Sequence, residues 1–524
     1  MSRLLFLAAL LAVAGASLVP LMALAAELRP GELSSLLDPR YTTLLARTIA
    51  FGLAVTALAF LLGFPFGILV ARCDVPGAGV LRVLGVAPLL IPTLLLGMVW
   101  VALVDWSGPL TSVWVMGLGL FPLVSLYTGR AAERIDARME DAARLSGGRW
   151  AVLRSGLGLI LPPACAGAAL AFTFAVNDFA VTDYVSSVGR KFNVYADEAF
   201  NNARDFRFGS APAEGETPSG SAAVLSGLPL VALAGGALAL ALSLRRRGAM
   251  RTVGSHFRAP ATIALGPWRW LAAGFAWGLV GVATLLPIGR LLWEAGGGAD
   301  WNLDTLRGAF QAAFTRARED MYRSLVYAFW AATGATAAAL VLGHAIERAR
   351  HPRWARLGEL VALLPIAVPP TLFAVGCLLF WQRPLTDDLL HSTAMPAILY
   401  GGHLVPFAVL IVTGAVAGLR VELEQAAQLA GAPGWQRLLR IAAPNLIGAL
   451  AGAWLLVFCF SLRELDLSLV IAEANRTAIV RVFNGVHFGR DEYVAALSLL
   501  LVFAILAPGL IWTLLSKRRL EVLP

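Results

Sequence analysis

The sequence predicts an all-α polytopic membrane protein with about twelve transmembrane helices in two pseudo-symmetric halves. Hydrophobic residues make up 58% of the 524 residues and charged residues only 14%, and the mean hydropathy is +0.73. A soluble protein of this length would expose far more charge. In addition, one short polar motif occurs in each half of the chain. Composition and internal repetition together carry the prediction.

A helix needs about 20 apolar residues to cross a bilayer, and twelve stretches of the chain meet this requirement. They lie near residues 4–26, 48–71, 80–104, 111–128, 158–182, 222–244, 269–292, 324–346, 357–381, 393–418, 445–471 and 493–516. The first stretch has a second interpretation. Arg3, an apolar run and the small residues that end at Ala26 are also typical of a cleavable signal peptide, whose removal would leave the remaining orientation unchanged.

The distribution of Lys and Arg predicts the orientation. With the N-terminus inside, the inner loops carry net positive charge and the outer loops net negative charge, as the positive-inside rule requires. We therefore expect a multi-pass protein of the bacterial inner membrane, with both termini in the cytoplasm. The sequence pI near 9.9 then reflects loops that face anionic lipid and does not indicate a nucleic-acid partner.

The repeated motif lies in two segments that this topology places in the cytoplasm. Its first copy is Glu140, Asp141, Ala142 and Ala143 followed by Gly147, and its second copy is Glu424, Gln425, Ala426 and Ala427 followed by Gly431. In each copy, small or apolar residues share one helical face. The faces comprise Ile135, Met139, Ala142, Ala143 and Ser146, and Leu419, Leu423, Ala426, Ala427 and Ala430. The pattern predicts a short docking helix that stops at a glycine with positive φ.

Other segments repeat with nearly the same spacing. Pro92 in the third stretch has its counterpart in Pro369 and Pro370 of the ninth, and these prolines predict kinks. The segment 174–179 matches 460–465 in residue type and order. We therefore predict a first half at 1–245, a cytoplasmic linker at 246–267 and a second half at 268–524.

The two motif copies resemble the EAA loops of permease subunits in binding-protein-dependent ABC importers, here spanning about 131–162 and 419–444. Two copies in one chain resemble the fused permeases of the iron(III) and thiamine type. The resemblance implies the type I importer permease fold, with a substrate pathway between the halves. It also implies two copies of a separate ATPase subunit and a periplasmic or extracellular substrate-binding protein as partners.

Hydrolysis of ATP by a P-loop requires a Gly-rich turn that ends in Lys and Ser or Thr. The two lysines, Lys191 and Lys517, stand in no such context. We therefore expect a transport subunit that is not an enzyme and binds no cofactor, with ATP used by the partner. The four cysteines are scattered and the sequence predicts no metal site.

The resemblance assigns ATPase coupling to the motif residues. The four alanines would form a close-packed face, Gly147 and Gly431 the turns, and Glu140, Asp141 and Glu424 ion pairs with the ATPase. The residue before the Ala pair is usually Glu in that family. Here Asp141 and Gln425 occupy this position, so the second ion pair departs from the family pattern and Glu424 is its possible substitute.

A second polar cluster lies at the predicted outer ends of the fifth and eleventh stretches. It comprises Asn177, Asp178, Arg463, Glu464 and Asp466. Two interpretations stay open. The cluster could line an outer gate of the pathway, or Arg463 could neutralise a neighbouring carboxylate in a structural ion pair.

The main alternative class is an ion-coupled secondary transporter, because twelve helices in two related halves also suit that architecture. Such carriers usually place titratable groups near the bilayer midplane, and here only His344 and His403 are candidates. An ATP-driven importer is therefore favoured. Its substrate is expected to be ferric iron, with thiamine, a polyamine or a phosphonate as alternatives.

Overall fold

The computed structural model describes residues 3–104, 106, 108–208, 220–249, 258–349, 351–382, 386–471, 476–488 and 492–515. Within these ranges the regular secondary structure is helical, and one isolated β-bridge joins Cys73 to Ile263. Nine helices of the described chain are long and apolar enough to cross a membrane, or twelve if each of three bent pairs forms one span. The predicted all-α polytopic fold is confirmed.

The first half of the sequence forms eleven α-helices in its described part. They are α1 Arg3–Val13, α2 Val19–Ala26, α3 Pro39–Arg72, α4 Ala78–Leu84, α5 Ala87–Leu90, α6 Thr93–Leu103, α7 Pro109–Glu133, α8 Ala137–Asn177, α9 Ala180–Val188, α10 Tyr195–Phe208 and α11 Ser221–Ala249. A π-helical segment at Ala14–Leu18 joins α1 to α2, and a 3₁₀-helix at Pro30–Leu37 precedes α3.

The second half follows a similar order. Its helices are α12 Trp268–Val280, α13 Leu286–Ala295, α14 Leu303–Arg316, α15 Arg318–Glu347, α16 Pro352–Ala367, α17 Pro370–Trp381, α18 Asp387–Leu390, α19 Met395–Ala417, α20 Val421–Leu429, α21 Gly434–Arg437, α22 Ala443–Asn445, α23 Ile447–Arg463, α24 Asp466–Ile471, α25 Ala478–Phe488 and α26 Glu492–Leu515. Segments Gly281–Leu285 and Leu438–Ala442 are π-helical, and Gly298–Asp300 is a 3₁₀-turn.

The predicted kinks at proline are near-right-angle bends. The axis turns by 94° between Ala78–Leu90 and Thr93–Leu103, and by 103° between Ala355–Ala367 and Pro370–Trp381. Ile91 and Val368, each before a proline, have extended backbone with ψ of 130° and 126°. Proline excludes the helical conformation from the preceding residue and lacks the N–H that would continue the helix. A third bend, of 81° before α23, has no counterpart among the predicted kinks.

The chain forms two compact units that interleave along the sequence. The first-motif unit comprises Pro39–Asp197 and Pro229–Trp293, and the second-motif unit comprises Met1–Asp38, Glu198–Leu228 and Glu294–Pro524. Each unit therefore contains a helix from the opposite half of the sequence. The division into repeats at 1–245 and 268–524 concerns sequence order, and it stays a prediction.

Each unit is built around three mutually packed helices: α3, α7 and α8 in one, and α15, α19 and α23 in the other. Small residues allow the helix axes to approach closely. A Cβ at Gly63 would lie 2.4 Å from the Phe121 carbonyl oxygen, and one at Gly67 would lie 2.5 Å from that of Ser125. In the second-motif unit, buried alanines of α15 have the same role.

The helix at the start of the chain packs inside the second-motif unit. The Ser17 hydroxyl donates to the Gly402 carbonyl oxygen at 2.6 Å, and a Cβ at Gly402 would lie 2.4 Å from the Ala16 carbonyl oxygen. In the first-motif unit, Trp277 of α12 donates through Nε1 to the Pro76 carbonyl oxygen at 3.1 Å. In each unit, a side chain of the added segment therefore donates a hydrogen bond to a backbone carbonyl oxygen of its neighbour.

Candidate functional site: two motif helices and their joints

The first motif helix, residues 137–146, forms the beginning of α8. Asp136 caps it, because its side chain accepts a hydrogen bond from the backbone N–H of Arg138 at 2.9 Å. Regular helix ends at the glycine pair, where Gly147 has φ −161° and Gly148 has φ 62° and ψ −151°. The positive φ predicted at Gly147 is therefore found at Gly148, whose conformation is essentially restricted to glycine. Gly147 has extended backbone that other residues also adopt.

The second motif helix is α20. It ends in a Schellman motif. The Gly431 N–H donates to the backbone carbonyl oxygen of Gln428 at 3.0 Å, and the Ala432 N–H donates to that of Ala427 at 2.9 Å. Gly431 has φ 84°, which is the left-handed conformation expected from the sequence. The two motif helices therefore stop by different glycine geometries.

The alanine pairs are only partly available for contact. Ala142 and Ala426 are exposed, whereas Ala143 and Ala427 are half-buried. The most exposed apolar side chains on the motif helices are instead Leu145 and Leu429, each 90% exposed. They occupy the same position in the repeat, two residues after the Ala pair. The sequence reasoning missed them because they lie off the predicted small-residue face, although their repetition was a usable signal.

The carboxylate of Glu140 faces into its own unit. It accepts a hydrogen bond from Nη2 of Arg72 at 2.8 Å, and Nη1 of Arg72 donates to the Ala132 carbonyl oxygen at 3.0 Å. Arg72 ends α3 and its side chain is only 6% exposed. We call Arg72, Ala132 and Glu140 the first joint, because they fasten the first motif helix to the ends of α3 and α7.

The carboxylate of Glu424 is held in the same way by α15. Its oxygens bind Nε of Arg348 at 3.0 Å and Nε2 of His344 at 2.8 Å, and Nη2 of Arg348 donates to the Leu419 carbonyl oxygen at 2.9 Å. Burial raises the pKa of Glu424, but the hydrogen bonds and charges of His344 and Arg348 outweigh burial and lower it. These four residues form the second joint.

Both motif glutamates thus have partners inside their own units, Glu140 with Arg72 and Glu424 with His344 and Arg348. Their ion pairs with an ATPase stay a prediction. The side chain of the remaining motif carboxylate, Asp141, is 55% exposed. Its Oδ2 lies 3.7 Å from Nη1 of Arg258, and its Oδ1 lies 4.0 Å from Nη1 of Arg144. Gln425, at the equivalent position of α20, is exposed and uncharged.

Two of the five outer polar residues, Asp178 and Glu464, cap helices within their own units. Asp178 accepts from the Thr93 hydroxyl at 2.7 Å and from the Val181 N–H at 3.2 Å. Glu464 accepts from the Leu467 N–H at 3.4 Å, so both carboxylates stabilise the start of the next helix.

The guanidinium of Arg463 lies 5.2 Å from the centre of the Phe460 ring. Asp466 begins α24 and is buried, and Asn177 Oδ1 has no hydrogen-bond partner in the described chain. Their proposed role at an outer gate stays a prediction.

Comparison with known proteins shows the family. The profile of the Binding-protein-dependent transport system inner membrane component family matches twice, at residues 63–245 and 335–521. The molybdenum transport system permease protein ModB of Escherichia coli K12, and that of Escherichia coli O157:H7, are each 31% identical over 180 residues, covering 29% of this chain and 75% of the relative. The chain therefore belongs to the family of binding-protein-dependent transport system inner membrane components, as a permease of an ABC importer with two family domains in one polypeptide.

Proposed function

We propose that the two motif helices are the docking sites for two ATPase subunits, which drive import through this permease. The observation that carries the proposal is the pair of equivalent leucines, Leu145 and Leu429, each 90% exposed. Burial of a leucine side chain contributes about 1.5–3 kcal/mol. Exposed alanines beside each leucine, Ala142 and Ala426, would allow the partner's backbone to approach closely.

The two docking sites would differ in charge. Asp141 offers an exposed carboxylate to a basic groove at the first site, whereas Gln425 offers a neutral amide at the second. Exposed ion pairs contribute only about 0–1 kcal/mol. In this proposal, apolar contact therefore provides most of the docking free energy at both sites. Asp141 adds a small electrostatic contribution at the first site.

Docking is tested by replacing both leucines in the complete transport complex. We expect Leu145→Arg with Leu429→Arg to abolish co-purification of the ATPase, while Leu145→Met with Leu429→Met retains it. Both positions are exposed, so folded permease should be recovered in similar amounts from both proteins. Undiminished ATPase association in the double arginine variant would refute docking at the motif helices.

For the substrate we propose a small inorganic ion that a binding protein delivers. The fused arrangement resembles iron(III) permeases, which favours ferric iron. The relatives that match are molybdenum permeases by name, which favours a molybdenum oxyanion as the second candidate. Proteoliposomes containing the complete transporter would be tested with radioactive ferric iron and with radioactive molybdate. Accumulation of one ion that requires both ATP and the binding protein would identify the substrate, and accumulation of neither would refute the proposal.

A further inference from the structure

Residues 258–265 of the linker lie in the first-motif unit and pair with the end of α3 and the residues just after it. The Ile263 N–H donates to the Arg72 carbonyl oxygen at 2.7 Å, and the Asp74 N–H donates to the Ile263 carbonyl oxygen at 3.2 Å. The Leu265 N–H donates to Oδ1 of Asp74 at 2.8 Å. The segment is therefore paired to α3 mainly through backbone groups.

The same segment also holds the first motif helix. The N–H of Ala137, the first residue of α8, donates to the Arg258 carbonyl oxygen at 3.0 Å. The first N–H groups of a helix have no partner within that helix, so this contact satisfies one of them. Nη2 of Arg72 adds a hydrogen bond to the Ala261 carbonyl oxygen at 3.3 Å. The linker thus contacts α3 and the first motif helix, two of the three elements that the first joint connects.

We propose that the linker segment 258–265 is a clamp that positions the first motif helix for its ATPase partner. It connects the start of that helix to the end of α3. A displacement of the docked motif helix would therefore also displace α3. The clamp acts through backbone hydrogen bonds, because the ion pair that it adds among the described residues, Arg258 with Asp141, has side chains 69% and 55% exposed and contributes little.

The second motif helix lacks such a clamp in the described chain. The hydrogen bonds that reach it or its preceding turn from other elements come from side chains, those of His344, Arg348 and Arg437. The linker would therefore make the two docking sites mechanically unequal. This inference rests on the proposed docking function, but the clamp itself can be measured without an ATPase.

Two proline variants one residue apart provide the test. Ile263→Pro removes the N–H that donates to Arg72, whereas Ala264→Pro removes an N–H for which the structure describes no hydrogen bond. Amide hydrogen exchange of the permease in nanodiscs should be about 3- to 10-fold faster at residues 137–146 in Ile263→Pro, as expected for loss of one hydrogen bond. Exchange at residues 421–429 should not change, and Ala264→Pro should match the wild type. Unchanged exchange at 137–146 in Ile263→Pro would overturn the clamp.

A second pair of variants covers failure of Ile263→Pro to fold. Asp74→Ala removes the acceptor of the Leu265 N–H, whereas Asp74→Asn keeps Oδ1. Only the alanine variant should speed exchange at 137–146, and equal exchange in both variants would contradict the clamp.

In the complete complex, Ile263→Pro should lower uptake at least about 3-fold while the ATPase still co-purifies. Retention of the ATPase by the double arginine variant would refute the docking sites instead, and the exchange result would still decide the clamp.

Discussion

In the first joint, the buried arginine also bonds to the backbone of the linker. In the second joint, an arginine and a histidine bind the same glutamate. Arg72 bonds to Glu140 and to two carbonyl oxygens, of Ala132 and Ala261. Glu424 instead has two partners, His344 and Arg348. Two repeats of one ancestral pattern thus keep the glutamate and the arginine and differ in what completes the joint. The Glu–Arg pair is common to both motif helices, and the groups that complete each joint differ.

The largest expected difference concerns loss of the arginine. Arg72→Met leaves Glu140 without its buried partner, and breaking a buried ion pair costs about 3–5 kcal/mol. We expect the lower end, because the Glu140 side chain is 18% exposed. Arg348→Met leaves His344 on Glu424 and should cost about 1–3 kcal/mol, in the range of a hydrogen bond to a charged group. The measurement is the opening free energy of each motif helix from hydrogen exchange. Equal losses in the two variants would show that His344 does not compensate for Arg348.

The glycine turns provide a smaller contrast. Gly148→Ala and Gly431→Ala place a Cβ at φ values of 62° and 84°, and each should cost about 1–2 kcal/mol. Gly147→Ala has no such φ penalty, because its φ of −161° suits other residues, but its Cβ would lie 2.9 Å from Cβ of Ala151 and would force a local shift. Thermal unfolding of Gly148→Ala and Gly431→Ala in nanodiscs measures the φ penalty alone, because a Cβ at either position would meet no atom within 4 Å. An unchanged unfolding temperature in Gly148→Ala would contradict this assignment of the turn.

The smallest expected effect is that of pH on the second joint. The pKa of Glu424 is lowered below its ordinary value of 4.5, so folding favours its ionised form. Its contribution to stability is therefore complete above the ordinary pKa and is lost as pH falls through the lowered value. Wild type and Glu424→Gln should converge in the exchange rate of α20 as the pH is lowered. A constant difference between them down to acidic pH would exclude ionisation of Glu424 as the cause.

The carboxylates of the motif show where sequence reasoning stopped. The repeat predicted a short helix followed by a glycine in each copy, and both helices do recur, each with a glycine at its end and an exposed leucine. The sequence could not show that Glu140 and Glu424 face inward, because their partners Arg72 and Arg348 lie more than sixty positions away in the chain. A helical pattern predicts which residues share a face, but the neighbouring helices decide which face is covered.

The prolines show a similar limit. Pro92 and Pro369 predicted kinked spans, since a proline removes a helical hydrogen bond whatever surrounds it. The size of the bends, 94° and 103°, depends on extended backbone at the residues before proline and on the packing of both arms. The interleaving of the two units was also not predictable from repeat order, because it depends on which helices exchange close contacts.

By itself, the sequence determined the all-α membrane class, the two repeats and the position of the motif helices. The membrane class and the motif helices follow from local composition and periodicity, and the repeats follow from the recurrence of one pattern at a nearly constant spacing. Only the tertiary structure decided which motif side chains are available and what completes each joint. Those properties depend on groups that meet across the fold, such as Arg72 with Ala261 and His344 with Glu424. A buried carboxylate requires a partner. Packing determines that Glu140 meets an arginine that also bonds to backbone carbonyl oxygens, whereas Glu424 meets an arginine together with a histidine.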